Sequence, residues 1–150
     1  MDRRQSIRLT PEEARRFLEE SRTAVLASNG PDGRPHLVAM WYVVKDGDIM
    51  MTTYGRSQKA VNIRRDGRAT MMVEAGLAYN QLRGVMIRGR AEIIEDLATT
   101  TEVLTAVSRK MSGAAALTPE GAAAIASQAK KRVVVRFHPE KWASWDHSKL

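Results

Sequence analysis

The apolar residues of this chain fall in short runs of strand length that are separated by turn signals. One of the longest runs, LVAMWYVV, is far too short to cross a bilayer. The runs predict six strands: Thr23–Ser28, His36–Val44, Ile49–Thr53, Arg68–Glu74, Arg83–Ile94 with a bend or bulge near Gly89, and one that contains Val133, Val135 and Phe137. Because these strands follow one another in hairpin order, they favour a small closed antiparallel barrel over a parallel α/β sheet.

Helix signals flank the strands rather than alternate with them. Thr10-Pro11 followed by Glu13 predicts a capped helix that runs to about Ser21. Three further helix starts are predicted at Ser57, Asp96 and Thr118. The expected fold class is therefore mainly β (α+β), a six-stranded antiparallel barrel with peripheral helices. No linker, repeat or low-complexity stretch divides the 150 residues, so we expect one domain over residues 1–150.

Composition argues against several classes of protein. The chain has no cysteine, which rules out disulfides and thiolate metal ligands. We expect no metal, because the remaining ligand-type residues near the C-terminus do not match the spacing of a metal site: His138, Glu140, Asp146 and His147. Aromatic residues make up only 5% of the chain, so despite a net charge of +7 we expect no nucleic-acid partner. The N-terminal MDRRQSIRLT has no apolar signal segment, so we expect a cytoplasmic protein with no membrane partner.

The segment TYGRSQKAVN, between the third and fourth predicted strands, has the features of an anion site. A turn that contains glycine delivers Ser57 as the cap of a short helix, whose first amides have no partner within the helix. An anion there would accept hydrogen bonds from those amides and from the hydroxyls of Thr53 and Ser57. Lys59 and Arg56 add positive charge, and Asn62 lies one turn farther along the same face. On spacing alone, an ordinary capped helix with solvated basic residues explains the segment equally well.

The order T-x3-S-x-K-x2-N-x-R-R-D-x-R between two strands, followed later by G-x-A-E, resembles the pyridoxamine 5′-phosphate oxidase-like superfamily of FMN-binding split barrels. The resemblance covers about residues 11–95 and extends more loosely through RFHPEKW. The most similar branch is that of the flavin/deazaflavin oxidoreductases, which use coenzyme F420. The resemblance implies a split β-barrel and a homodimer in which both subunits contribute to each site.

The same resemblance implies which residues contact the cofactor. Those expected at or near the phosphate are Thr53, Arg56, Ser57, Lys59 and Asn62. Those expected along the ring, largely through main-chain atoms, are Val38, Met40 and Trp41. The catalytic residues stay unknown, since the possible proton donors Tyr54, Tyr79 and His36 are each more typical of packing or hydrogen bonding. Trp142 and Trp145 are candidates for a substrate wall, although packing is their more ordinary role.

One departure from the superfamily bears on the cofactor. Classical pyridoxamine phosphate oxidases have the pattern R-x-V-L-L-K on the second strand, whereas HLVAMW at residues 36–41 has neither arginine nor lysine. This difference favours coenzyme F420 over FMN. The net charge of +7 agrees, because that coenzyme adds a phosphodiester and a polyglutamate tail, which Arg64, Arg65 and Arg68 are candidates to meet.

The sequence therefore predicts a coenzyme F420-dependent oxidoreductase that transfers a hydride between the deazaflavin and an unsaturated small-molecule substrate. Two alternatives stay open. One is an FMN-dependent oxidoreductase, and the other is a non-catalytic protein that binds a flavin or coenzyme F420.

Overall fold

The computed structural model describes residues 2–150, which form seven strands and five α-helices. The strands are β1 (Thr23–Asn29), β2 (Pro35–Trp41), β3 (Val43–Lys45), β4 (Asp48–Tyr54), β5 (Arg68–Ala75), β6 (Arg83–Ile94) and β7 (Arg132–Asp146). The helices are α1 (Arg3–Ser6), α2 (Pro11–Glu20), α3 (Gln58–Arg65), α4 (Leu97–Ser112) and α5 (Pro119–Ala129). Short 3-10 turns occupy Tyr79–Gln81, Gly113–Leu117 and His147–Lys149.

All seven strands belong to one antiparallel sheet with the order β2-β1-β5-β6-β7-β4-β3. β2 and β3 are thus the two edges of the sheet, yet Tyr42 is the only residue between them. A chain that passes from one edge to the other in a single residue forces the sheet to curl until its edges meet. The expected antiparallel barrel with peripheral helices is confirmed.

The strand count differs from the prediction of six. The run His36–Val44 was predicted as one strand, but it is divided at Tyr42 because β2 pairs with β1 whereas β3 pairs with β4. The apolar run LVAMWYVV continues through this junction, so the sequence pattern does not reveal the change of partner. The Tyr42 side chain is fully buried, and its hydroxyl donates a hydrogen bond to the carbonyl of Leu18 in α2 at 2.5 Å.

The predicted irregularity near Gly89 is confirmed as a β-bulge. Gly89 pairs with Pro139 and Arg88 pairs with Lys141, so Glu140 of β7 is the extra residue. A Cβ atom on Gly89 would lie 2.1 Å from the carbonyl oxygen of His138, which explains the glycine. Beyond the bulge β7 continues to Asp146, so Trp142 and Trp145 belong to a strand.

The helices begin where the cap residues predict. In α2, the amide of Glu13 donates to Thr10 Oγ1 at 3.1 Å and the amide of Thr10 donates to Glu13 Oε2 at 2.7 Å. This helix covers the barrel interior with Phe17 and Leu18, and α4 packs its Val103 and Val107 against β4 and β7. Within residues 2–150, no helix is long and apolar enough to span a membrane.

Tyr42→Phe tests the contact that fixes the closure of the sheet. Removing the hydroxyl leaves the buried carbonyl of Leu18 without its donor, and we expect a loss of about 1–3 kcal/mol in the free energy of unfolding at neutral pH. Denaturant titration measures this, with the exposed Tyr79→Phe as the matched control. A Tyr42→Phe protein as stable as that control would contradict the account.

The same variant has a pH signature. Burial raises the pKa of Tyr42, so the folded state disfavours its ionised form. The neutral, buried Tyr42 contributes fully to the free energy of unfolding below the pKa of an unfolded tyrosine, about 10. This contribution is lost as the pH rises above that value. Above about pH 10, wild type should therefore lose stability more steeply than Tyr42→Phe; parallel curves would contradict this.

Candidate active site

Three predicted site residues come together where β4 passes into α3. Ser57 caps the helix, and its hydroxyl oxygen accepts from the amide of Ala60 at 3.4 Å. Thr53, buried near the end of β4, lies 3.1 Å from the Ser57 hydroxyl through its own Oγ1. The ammonium group of Lys59 donates to that same Thr53 oxygen at 2.9 Å. The side chains of Thr53, Ser57 and Lys59 therefore form one connected hydrogen-bonded group.

A fourth residue, Arg132, was missed by sequence reasoning. It is the first residue of β7 and pairs with Tyr54 of β4, so its guanidinium lies over the Tyr54 ring with Cζ 4.6 Å from the ring centroid. Its Nη1 is 3.4 Å from the carbonyl of Thr52, whereas its buried Nε has no hydrogen-bond partner. No local motif marks Arg132, because only the pairing of β4 with β7 brings it here.

Lys59 and Arg132 make this group strongly electropositive. Burial lowers the pKa of Lys59, and the nearby charge of Arg132 lowers it further. Neither side chain forms an ion pair within residues 2–150, so no carboxylate of that region neutralises them. Two neighbouring cations and an unsatisfied N–H group are what an anion such as a phosphate requires. The residues present fit the phosphate of a flavin or deazaflavin cofactor.

The residues expected along the ring lie in a cleft beside this group. The cleft has a volume of about 520 Å³ and is lined on one side by Val38, Met40 and Trp41. These residues lie on β2, an edge strand, so part of its main chain has no partner in the sheet and can bond a ligand. The other wall comes from α4 and α5, which the sequence did not associate with the site: Leu104, Val107, Ser108, Met111, Ser112 and Gln128.

Two other predicted phosphate residues are placed differently. Arg56 is exposed in the turn before α3 and forms no side-chain hydrogen bond within the described part of the chain. Asn62 is fully buried, where it donates to the Ser28 hydroxyl at 3.1 Å and accepts from Gln58 at 2.7 Å. Asn62 thus ties α3 to β1 and does not line the cleft. For both residues, direct contact with the cofactor stays a prediction.

The arginines suggested for an anionic tail already have partners within the chain. Arg64 bonds Glu95 at 2.5 Å and the carbonyl of Gly55 at 2.7 Å. Arg65 bonds the carbonyl of Asn29, and Arg68 pairs with Asp66 at 2.8 Å. The geometry therefore does not favour these three guanidinium groups as tail contacts, because a ligand would first have to displace those partners.

Of the three possible proton donors, only Tyr54 lines the cleft. Tyr79 packs against His147 with ring centroids 4.6 Å apart, and His36 is half-buried on β2. No group of three or more potential metal-ligating side chains lies within residues 2–150. The arrangement can bind a planar anionic cofactor, and it identifies no catalytic acid.

Comparison with known proteins agrees with the fold. The family model for pyridoxamine 5′-phosphate oxidase matches residues 10–146. A conserved hypothetical protein from Mycobacterium tuberculosis is 42% identical with a TM-score of 0.90, over 99% of this chain and 92% of that one. An F420 reductase is 26% identical with a TM-score of 0.68, over 89% and 98% of the two chains. The heme storage protein of Vibrio cholerae shares the fold at 18% identity and a TM-score of 0.68, over 93% and 98%. No curated protein matches the sequence significantly.

Arg132→Gln tests the proximity of the two cations without any ligand. Removing the guanidinium charge should raise the pKa of Lys59. The pKa should still lie below that of an ordinary lysine, because Lys59 remains partly buried. NMR titration of the lysine Nζ and Cε nuclei measures the change, with the exposed Arg34→Gln as the matched control. An unchanged Lys59 pKa in Arg132→Gln would mean that the two charges do not interact.

Proposed function

The chain belongs to the pyridoxamine 5′-phosphate oxidase family, and from that premise we propose that it is a coenzyme F420-dependent oxidoreductase. The proposed reaction is hydride transfer between the deazaflavin and an unsaturated small-molecule substrate. The observation that carries the proposal is the pair of uncompensated cations, Lys59 and Arg132, beside an edge strand. The proposal extends to one cytoplasmic domain over residues 1–150.

Lys59, Arg132, Thr53 and Ser57 would hold the cofactor phosphate. Hydrogen bonds to charged groups are typically worth about 1.5–3 kcal/mol each, so the two cations would contribute about 3–6 kcal/mol to phosphate binding. Thr53 accepts from Lys59 and thereby fixes the direction of the ammonium group. The first amides of α3 add donors at the same end of the helix.

The ring system would lie along β2, between Val38–Trp41 and the wall from α4. When bound, the deazaflavin supplies the hydride chemistry. The chain contributes position and exclusion of water: Val107 and Met111 of α4 present apolar surface to the cleft, and Ser108 and Ser112 add hydroxyls. Among the titratable hydroxyl groups, that of Tyr54 is nearest to the cleft. The Tyr54 ring stacks against the Arg132 guanidinium, however, so we assign this residue the role of supporting that cation.

The choice of coenzyme F420 rests on two observations. β2 has no arginine or lysine that would serve as the second phosphate ligand of a classical FMN enzyme. The F420 reductase is similar to this chain over nearly its whole length. FMN is the alternative cofactor, because the Lys59–Arg132 pair would bind its phosphate as well. A non-catalytic cofactor-binding protein is the other alternative, since the cleft identifies no proton donor.

We further propose a homodimer that shares its two sites. The outer face of the sheet exposes apolar side chains from three of its strands: Leu37 on β2, Met72 on β5 and Met86 on β6. Met72 and Met86 are directly paired in the register, so they form one apolar patch, which β1 separates from Leu37. β2 belongs both to this face and to the cleft, and a partner that covers the face would therefore reach the edge of the site.

Cofactor titration tests the assignment. Coenzyme F420 should bind in the micromolar range, and Lys59→Gln and Arg132→Gln should each weaken binding about 10- to 100-fold, equivalent to about 1.4–2.8 kcal/mol. Deazaflavin fluorescence measures binding, and Lys45→Gln is the matched control because Lys45 pairs with Glu102 outside the cleft. Turnover of reduced coenzyme against a panel of unsaturated carbonyl compounds, quinones and tetrapyrroles then tests catalysis.

The outcomes of this titration separate the alternatives. Tight binding of FMN without binding of coenzyme F420 would replace the cofactor assignment. Binding of coenzyme F420 without turnover of any substrate would favour the non-catalytic protein. If neither cofactor binds, or if Lys59→Gln binds as well as wild type, the phosphate site itself is wrong.

Met72→Glu combined with Met86→Glu tests the dimer face. Two carboxylates buried in an apolar interface would go unpaired, so we expect a monomer or a dimer at least tenfold weaker. Sedimentation equilibrium measures the association, and Leu77→Glu with Leu97→Glu is the control because both leucines are exposed and lie outside the strands. An unchanged dimer in the methionine variant would assign the interface elsewhere.

A further inference from the structure

A larger cavity lies apart from the cleft. It has a volume of about 1070 Å³ and is lined by residues of the N-terminal segment with α1 and α2, the β3–β4 turn and the end of β7. None of the residues that line it also lines the cleft beside Lys59. The amide of Leu9 donates to the Ser144 hydroxyl at 3.1 Å, which fixes the N-terminal wall against β7. We call this space the aromatic cavity.

Trp142 and Trp145 both line the aromatic cavity, but they lie on opposite faces of the sheet, because Trp142 pairs with the buried Ile87 and Trp145 pairs with Gly84 three positions along β6. Trp142 is 38% exposed, which is unusual for the largest apolar side chain in a strand. Trp145 lies over Gly84 of β6, where a Cβ atom would come within 2.4 Å of the Trp145 ring. Because Gly84 has no side chain, the Trp145 ring can lie against the sheet. Ile7, Leu9 and Pro11 complete the apolar lining.

The charge around these rings is mainly positive. Four basic residues line the cavity, and none forms an ion pair within residues 2–150: Arg4, Arg8, Arg15 and Lys141. Asp48 also lines it, but its carboxylate is already paired with Arg136 at 2.8 Å and with His138 at 3.0 Å. Asp46 is the other acidic residue of the lining. The four cations thus exceed the free carboxylates.

We propose that the aromatic cavity is a second ligand site, for a planar aromatic molecule that carries two or more carboxylate or similar acid groups. The exposed indole of Trp142 binds the ring, and the guanidinium and ammonium groups bind the acids. Its volume of about 1070 Å³ lies just above the range of small-molecule sites, roughly 300–1,000 Å³. The lining contains no histidine, cysteine, methionine or tyrosine, so the ligand is held by its own ring and acid groups and not through a metal.

Calorimetric titration with 2,6-naphthalenedicarboxylate tests the proposal on the full-length protein. This probe has both a ring and two carboxylates, whereas adipate has only the acids and 2-naphthylmethanol only the ring. We expect the probe to bind at least tenfold more tightly than either. Trp142→Leu and the double variant Arg8→Gln with Arg15→Gln should each weaken its binding at least tenfold, and thermal melting checks that the variants remain folded.

Two matched control variants determine which of the two sites the probe occupies. Trp41→Leu removes an indole of the cleft, and Lys59→Gln removes a cation of the cleft; both should bind the probe as wild type does. Loss of binding in these controls, with Trp142→Leu unaffected, would mean that the probe occupies the cofactor cleft and would overturn the proposal. Equal binding of the probe and of both analogues, or no binding of the probe, would overturn it as well. Cofactor binding is measured separately, so either proposal can fail while the other stands.

Discussion

Tyr42 is the single residue between the two edges of the sheet, and the curled barrel depends on its burial. Its hydroxyl is bonded to the carbonyl of Leu18, and the ammonium of Lys110 lies 4.2 Å from the centre of its ring. Lys110 also donates to the Tyr42 carbonyl at 3.2 Å, so α2 and α4 both hold this junction. Closure of the sheet brings β2 close to β4 and β7. The cleft exists because these three strands meet.

The same closure places like charges together. β4 carries Thr53 toward Lys59, and its pairing with β7 brings Arg132 alongside. Like charges at close range oppose folding, and burial of Lys59 adds to the cost. An anion offsets both contributions, because its attraction to the cations is strong where water is partly excluded. A site that is unfavourable when empty and favourable when filled is typical of function rather than of stability.

Local chemistry was predictable from the sequence, whereas long-range pairing was not. Thr10, Ser57 and Asp96 begin helices because their side chains bond amides two or three residues away, so the signal is local. Tyr42 and Arg132 have their roles through contacts with residues far along the chain, and no short pattern encodes them. Asn62 shows the converse: its spacing suits a ligand contact, but burial against Ser28 determines its bonds.

A crystal structure of the protein with coenzyme F420 bound tests the central claim most directly. The account predicts the cofactor phosphate within hydrogen-bond distance of Lys59 Nζ and the Arg132 guanidinium, with the ring along Val38–Trp41. A phosphate that contacts neither cation, or a cofactor seated in the aromatic cavity against Trp142, would contradict it.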